Sequence, residues 1–118
     1  MMEVLADMYY NGEGMSQSYV KAIKWYKRAA DKGLFSSQEK LIELWYGDDP
    51  VKPDFKTVYK WLGYFANGGL ARYQYKLGIL YLEGKCVKQD LQLAIHWLKE
   101  AAKQGYTLAQ EELVKLGE

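Results

Sequence analysis

The sequence predicts an all-α fold, an α/α superhelix (solenoid) of about three helical hairpins plus a C-terminal capping helix, and three observations predict it. Trp25, Trp61 and Trp97 stand 36 residues apart in both intervals. Leu5/Leu41/Leu77, Ala30/Ala66/Ala102 and Gly33/Gly69/Gly105 keep the same interval. Between these anchors apolar residues recur at helical spacing, and no strand alternation of useful length competes. A repeat of this period means stacked copies of one supersecondary unit, none of which buries its apolar face alone.

The first copy, residues 1–33, carries Leu5, Met8 and Tyr9 on one helix. A Gly12-Glu13-Gly14 turn follows, then Ser18 as a cap and a second helix with Ala22, Ile23, Tyr26, Ala29 and Ala30. The second copy, residues 34–69, is the least regular. Leu41, Leu44 and Trp45 mark its first helix, and Val58, Trp61, Leu62, Phe65 and Ala66 its second. Both prolines, Pro50 and Pro53, sit in the connection, where they stiffen a turn without breaking a helix. The third copy, residues 70–105, places Tyr73, Leu77, Leu80 and Tyr81 before a polar break, and Leu91, Ala94, Ile95, Leu98, Ala101 and Ala102 after it. Gly84 is expected to end its first helix in a left-handed conformation and Asp90 to cap its second. Residues 106–118 supply a seventh helix, a partial or capping copy with Ala109 and Leu113. The expectation is one domain over residues 1–118. The alanines let helices approach closely, and Tyr9, Tyr26, Trp45, Tyr81 and the periodic tryptophans fill the space between layers.

Composition narrows the function classes. The formal net charge is +1, with local balances of +1, −1, +3 and −2 over residues 1–33, 34–69, 70–105 and 106–118. So small a charge gives no field for nucleic acid or an acidic membrane, and neither nucleic-acid binding nor membrane insertion is expected. Cys86 is the only cysteine, which excludes an intrachain disulfide. With Glu3 and Asp7 in the first ten residues and no basic start before an apolar run, a cytoplasmic location is the default expectation, or a periplasmic or secreted one if the chain is a fragment of an exported protein.

The copies resemble the Sel-one-like repeat, a relative of the tetratricopeptide repeat. Copy one matches that pattern at Tyr9, Gly12, Gly14, Lys21, Ala22, Trp25, Tyr26, Lys27, Ala29, Ala30 and Gly33. Copy three matches at Leu77, Gly78, Tyr81, Gly84, Val87, Asp90, Ala94, Trp97, Lys99, Ala101, Ala102 and Gly105. Copy two departs at Asp48, Pro50, Val58, Gly63 and Phe65. The resemblance implies an α/α superhelix with adaptor or scaffold roles, bacterial members often taking part in signalling, envelope processes or host contact. It implies no cofactor.

Chemistry-bearing residues are thin. His96, the only histidine, takes the position of Lys24 and Lys60 and reads as an exposed helix residue, since one His without a second ligand makes a poor metal or catalytic site. Cys86, between Lys85 and Lys88, reads as a turn residue in place of glycine. Asp48, Asp49 and Asp54 lack the alternating spacing of a calcium loop and fit turn and cap chemistry. No catalytic, metal or cofactor-binding residue is expected, and no enzyme activity.

What remains is the face of the first helices that packing does not claim, expected to line the concave side. It includes Glu3, Asp7, Tyr10, Glu39, Lys40, Glu43, Tyr46, Tyr75, Lys76 and Ile79. Tyrosine offers rigid contact area with a polar tip, and the charges set register. The expected function is a protein–protein interaction module that holds a peptide or another protein in this groove. The alternative is self-association into a homo-oligomer through the ends of the stack.

Overall fold

The computed structural model describes residues 2–118; Met1, with which the first predicted copy begins, lies outside them. Among the described residues the helices are α1 (Met2–Asn11), α2 (Tyr19–Asp31), α3 (Phe35–Tyr46), α4 (Phe55–Asn67), α5 (Ala71–Glu83), α6 (Leu91–Lys103) and α7 (Thr107–Lys115), and there is no strand. The fold is an all-α helical repeat, as the sequence predicts. Packing divides the chain into two compact units, one ending at Trp61 and the other starting at Leu62.

In the first unit α1 pairs with α2, and α3 packs on α2. Ala6, Ala22 and Ala30 are fully buried, so the helix backbones come together over methyl groups. Ser18 caps α2 as expected, its hydroxyl accepting from the Lys21 N–H at 3.2 Å. The Gln17 side chain closes the turn by donating to the Tyr10 carbonyl at 2.8 Å. The connection after α3 is built differently. Gly47 has an ordinary φ of −83°, and the Lys52 ammonium donates to the carbonyls of Gly47 and, at 3.4 Å, of Leu44. A lysine therefore satisfies the helix end that a left-handed glycine serves in copies one and three, which is the structural consequence of the departures at Asp48 and Pro50.

Asp54 caps α4, accepting from the Thr57 N–H at 3.0 Å, and meets the Lys27 ammonium of α2 at 3.1 Å. Burial pushes its carboxyl upward, but the bonds from Thr57 and Lys27 outweigh this and hold it below the ordinary 3.8. A carboxylate lowered on folding stabilises the native state above its unfolded pKa, and that contribution disappears as pH falls through the folded value. The melting-temperature gap between wild type and Asp54→Ala is accordingly expected to be full at neutral pH and to shrink as the solution is acidified below 3.8. Thermal melts at stepped pH measure it, and a gap that widens in acid contradicts the assignment.

In the second unit α5 pairs with α6, and α7 packs on α6. Gly84 ends α5 with φ 68°, and Asp90 caps α6 by accepting from the Leu93 N–H at 3.1 Å, both as expected. Gln89 donates to the Leu82 carbonyl at 2.8 Å, repeating the Gln17 bond one copy pair earlier. Cys86 takes φ 64° in this turn, a left-handed residue standing where glycine is the natural choice. Gly78 lies where α5 and α6 come closest: a Cβ there would stand 3.0 Å from Leu98 Cγ and 3.2 Å from the Ala94 carbonyl oxygen.

A glutamine recurs at the joints between copies. Gln38 in the first unit donates to the Ala30 carbonyl at 3.0 Å; in the second, Gln74 donates to Ala66 at 3.1 Å and Gln110 to Ala102 at 3.2 Å. Each amide adds a second bond to a helix-end carbonyl that also accepts from the glycine N–H three residues on. Gln74 is buried and also accepts from Gln104 at 3.0 Å. Replacing it with leucine removes two bonds, although Ala66 keeps the Gly69 N–H at 3.1 Å and Gln104 keeps the Gly69 carbonyl at 2.8 Å, so Gln74→Leu is expected to cost about 1–3 kcal/mol in urea unfolding.

The periodic tryptophans differ in depth. Trp61 is buried, whereas Trp25 and Trp97 are half-buried, a correction to the expectation that all three are interior. Arg28 lies over the Trp25 ring at 4.6 Å and His96 meets the edge of Trp97 at 4.9 Å, so polar neighbours cover what the layers do not.

Candidate partner-binding face

The first-helix stripe of the first unit is assembled by α1 and α3. Glu3 accepts from the hydroxyls of Ser36 and, at 3.1 Å, Ser37, which ties the start of α3 to α1. Asp7 accepts from the buried Tyr26 hydroxyl of α2. Both carboxylates thus spend one oxygen on the fold. Tyr10 is held on three sides: its hydroxyl donates to Asp49 at 2.9 Å, Tyr19 meets its ring edge-on at 5.3 Å, and the Lys40 ammonium sits over it at 4.4 Å. The bond to Asp49 and then burial raise its phenol pKa. Glu39 is half-buried, while Glu43 and Tyr46 are exposed, Tyr46 at 42%. Val4, 56% exposed, adds apolar surface on α1.

The second unit presents its part of the stripe on α5. Tyr75 stacks on Tyr106 at 5.3 Å, and with Ile79 it packs against the buried cluster of Leu98, Ala101 and Ala109. Burial, then the nearby Glu112, raises the Tyr75 phenol. Lys76 is half-buried, and burial followed by the positive charge of Arg72 lowers its ammonium pKa. The three tyrosines singled out in the sequence are therefore unlike in kind. Tyr46 presents itself to solvent, Tyr10 is a braced platform, and Tyr75 belongs largely to the packing of its unit. Asp49 and Tyr19, which brace Tyr10, were not anticipated as part of the face; the acidic connection before Pro50 was the available signal for the first.

Elsewhere the chemistry is sparse. His96 is exposed, as its repeat position suggests, and Cys86 is exposed in its turn. Among the described residues no three His, Cys, Asp or Glu side chains converge as a metal site would require, and no helix is long and apolar enough to cross a membrane.

Comparison with known proteins agrees with this geometry. The Sel1 repeat model matches residues 2–34 and 71–106, leaving between them the stretch with the proline connection. Among solved structures the chain is similar to a protective antigen present in uropathogenic Escherichia coli strains that displays an SLR fold, at 37% identity and a TM-score of 0.70, over 95% of this chain and 24% of that one. It is also similar to a Sel1 repeat protein from Oxalobacter formigenes, at 28% identity and a TM-score of 0.79, over 98% of this chain and 34% of that one. The chain thus spans from 24% to 34% of the length of these two structures. No curated protein matches.

Proposed function

Because this chain belongs to the Sel1 repeat family, whose members generally act as protein-interaction modules and are generally non-enzymatic, we propose that its first-helix faces recognise a peptide or surface segment of another protein. The observation that carries this reading is the make-up of α1 and α3: Val4 of α1 and Tyr46 of α3 stand exposed, and the Tyr10 ring of α1 is fixed by Asp49, Tyr19 and Lys40. A rigid aromatic platform loses little freedom on binding, so contact area turns into affinity with a small ordering cost. Glu43 and Asp7 at its edge set the polarity of what approaches. On α5, Lys76 and Ile79 would contribute in the same way, whereas Tyr75 acts mainly by holding that helix in place.

Affinity capture with the wild type against Tyr46→Ala and Glu43→Lys tests the reading. A captured partner is expected to weaken roughly tenfold or more with Tyr46→Ala, the size of effect typical of an aromatic contact at an interface centre, while the melting curve stays put. Capture that survives both substitutions unchanged rejects the face.

Self-association is the second reading, and Val114 favours it. This residue of α7 is 75% exposed, while Ala6 and Ile42, at the equivalent positions of α1 and α3, are buried. Light scattering across concentration separates the readings, since a chain that stays monomeric at high micromolar concentration leaves self-association without support.

A further inference from the structure

One surface away from the first helices combines order, charge and apolar ground. The outward side of α2 forms a shallow groove lined by Val20, Ile23, Lys24, Lys27, Arg28 and Asp31. Its floor is apolar, with Val20 65% exposed and Ile23 half-buried. Its lining is cationic, with Lys24, Lys27 and Arg28 against Asp31, and with Lys27 paired to Asp54 the uncompensated charge rests on Lys24 and Arg28. The carboxylates within reach are already engaged: Asp31 with Lys60 at 3.6 Å, and Asp54 with Lys27 at 3.1 Å. Lys24 is exposed and makes no ion pair among the described residues. The Arg28 guanidinium lies over the Trp25 ring at 4.6 Å, and its forked donors match a carboxylate.

We infer that this groove docks an acidic segment of a partner protein, with an apolar side chain over Val20 and Ile23 and carboxylates on Lys24 and Arg28. Charge complementarity selects the sign of the occupant, and the apolar floor selects a chain that alternates acidic with apolar residues. An anionic bilayer suits the surface less well, because Val20 is the only large hydrophobic side chain that α2 exposes, and seating a helix among acyl chains takes a broad apolar face. This surface is separate from the first-helix face, and neither assignment depends on the other.

Fluorescence anisotropy with a labelled peptide of alternating Glu and Leu, against a twin with Lys for Glu, tests the inference on the whole chain. The acidic peptide is expected to bind saturably and the basic twin not to. Binding should weaken about tenfold or more in Lys24→Glu and in Arg28→Glu, and with added salt. Lys85→Glu, the same charge change in the other unit, should leave it unaltered. Lys24→Glu disturbs no packing, so an unchanged circular-dichroism melt separates lost binding from lost fold. The inference fails if the acidic peptide does not bind, if the twin binds as well, if both α2 substitutions are silent, or if the chain adheres to phosphatidylserine vesicles and not to the peptide.

Discussion

Tyr26→Ala is expected to lower the free energy of unfolding by about 3–5 kcal/mol, the cost of emptying an aromatic site in a packed core. Tyr26 is 1% exposed, and its ring fills the space between α1 and α2. Its hydroxyl is not idle, since it donates to Asp7, and burial followed by that bond drives its phenol pKa far above the ordinary tyrosine value. Tyr26→Phe separates the two contributions. It keeps the ring and removes the donor, so about 0.5–1.5 kcal/mol is expected for that variant, rising toward 3 where a charged acceptor is involved. Urea unfolding of both variants measures the split. A small domain of this size has about 5–15 kcal/mol in hand, so the alanine variant should lose much of its cooperative transition near body temperature. If Tyr26→Ala costs less than about 1 kcal/mol, the Tyr26 ring is not what joins the first hairpin.

The second large effect is expected at Gly78. Its α carbon faces α6 so closely that an added Cβ would meet Leu98 Cγ at 3.0 Å and the Ala94 carbonyl at 3.2 Å. Alanine gains about 1 kcal/mol of helix propensity over glycine and spends it on a shift of the Leu98 side chain, so Gly78→Ala should be nearly neutral. Gly78→Val has no such compensation. Its two γ methyls add to a Cβ already tight against Leu98 and the Ala94 carbonyl, and the cost should reach about 3 kcal/mol or more. The same repeat position holds alanine in α1 and isoleucine in α3, both buried. A valine tolerated at Gly78 would mean that α5 and α6 can separate as easily as those larger residues require elsewhere, and the close approach would lose its meaning.

How much of this was legible beforehand depends on what kind of contact each residue makes. The 36-residue period and the helical spacing located the helices, and the local signals at Ser18, Gly84 and Asp90 named caps that the structure contains. Such signals are short-range: the cap and the group that it satisfies lie within one turn. The Gln38, Gln74 and Gln110 bonds were equally periodic but went unread, because glutamine is usually a surface residue and only the bend between helices brings its amide to the carbonyl of the preceding helix. The candidate face was legible in position and not in quality. Tyr10, Tyr46 and Tyr75 are alike in sequence, yet Asp49 and Lys40 brace the first, solvent meets the second, and Tyr106 stacks on the third. Those partners come from other helices, and no helical spacing rule reports them.

The central claim is that the anchors pack while the first-helix side is left to recognise a partner. Hydrogen–deuterium exchange on the chain with and without a captured partner tests it most directly. The expected result is new protection in α1 and α3, around Tyr10, Glu43 and Tyr46, with the exchange of the buried joints at Gln38 and Gln74 unchanged. A complex that forms without slowing exchange anywhere in α1 or α3 would contradict it.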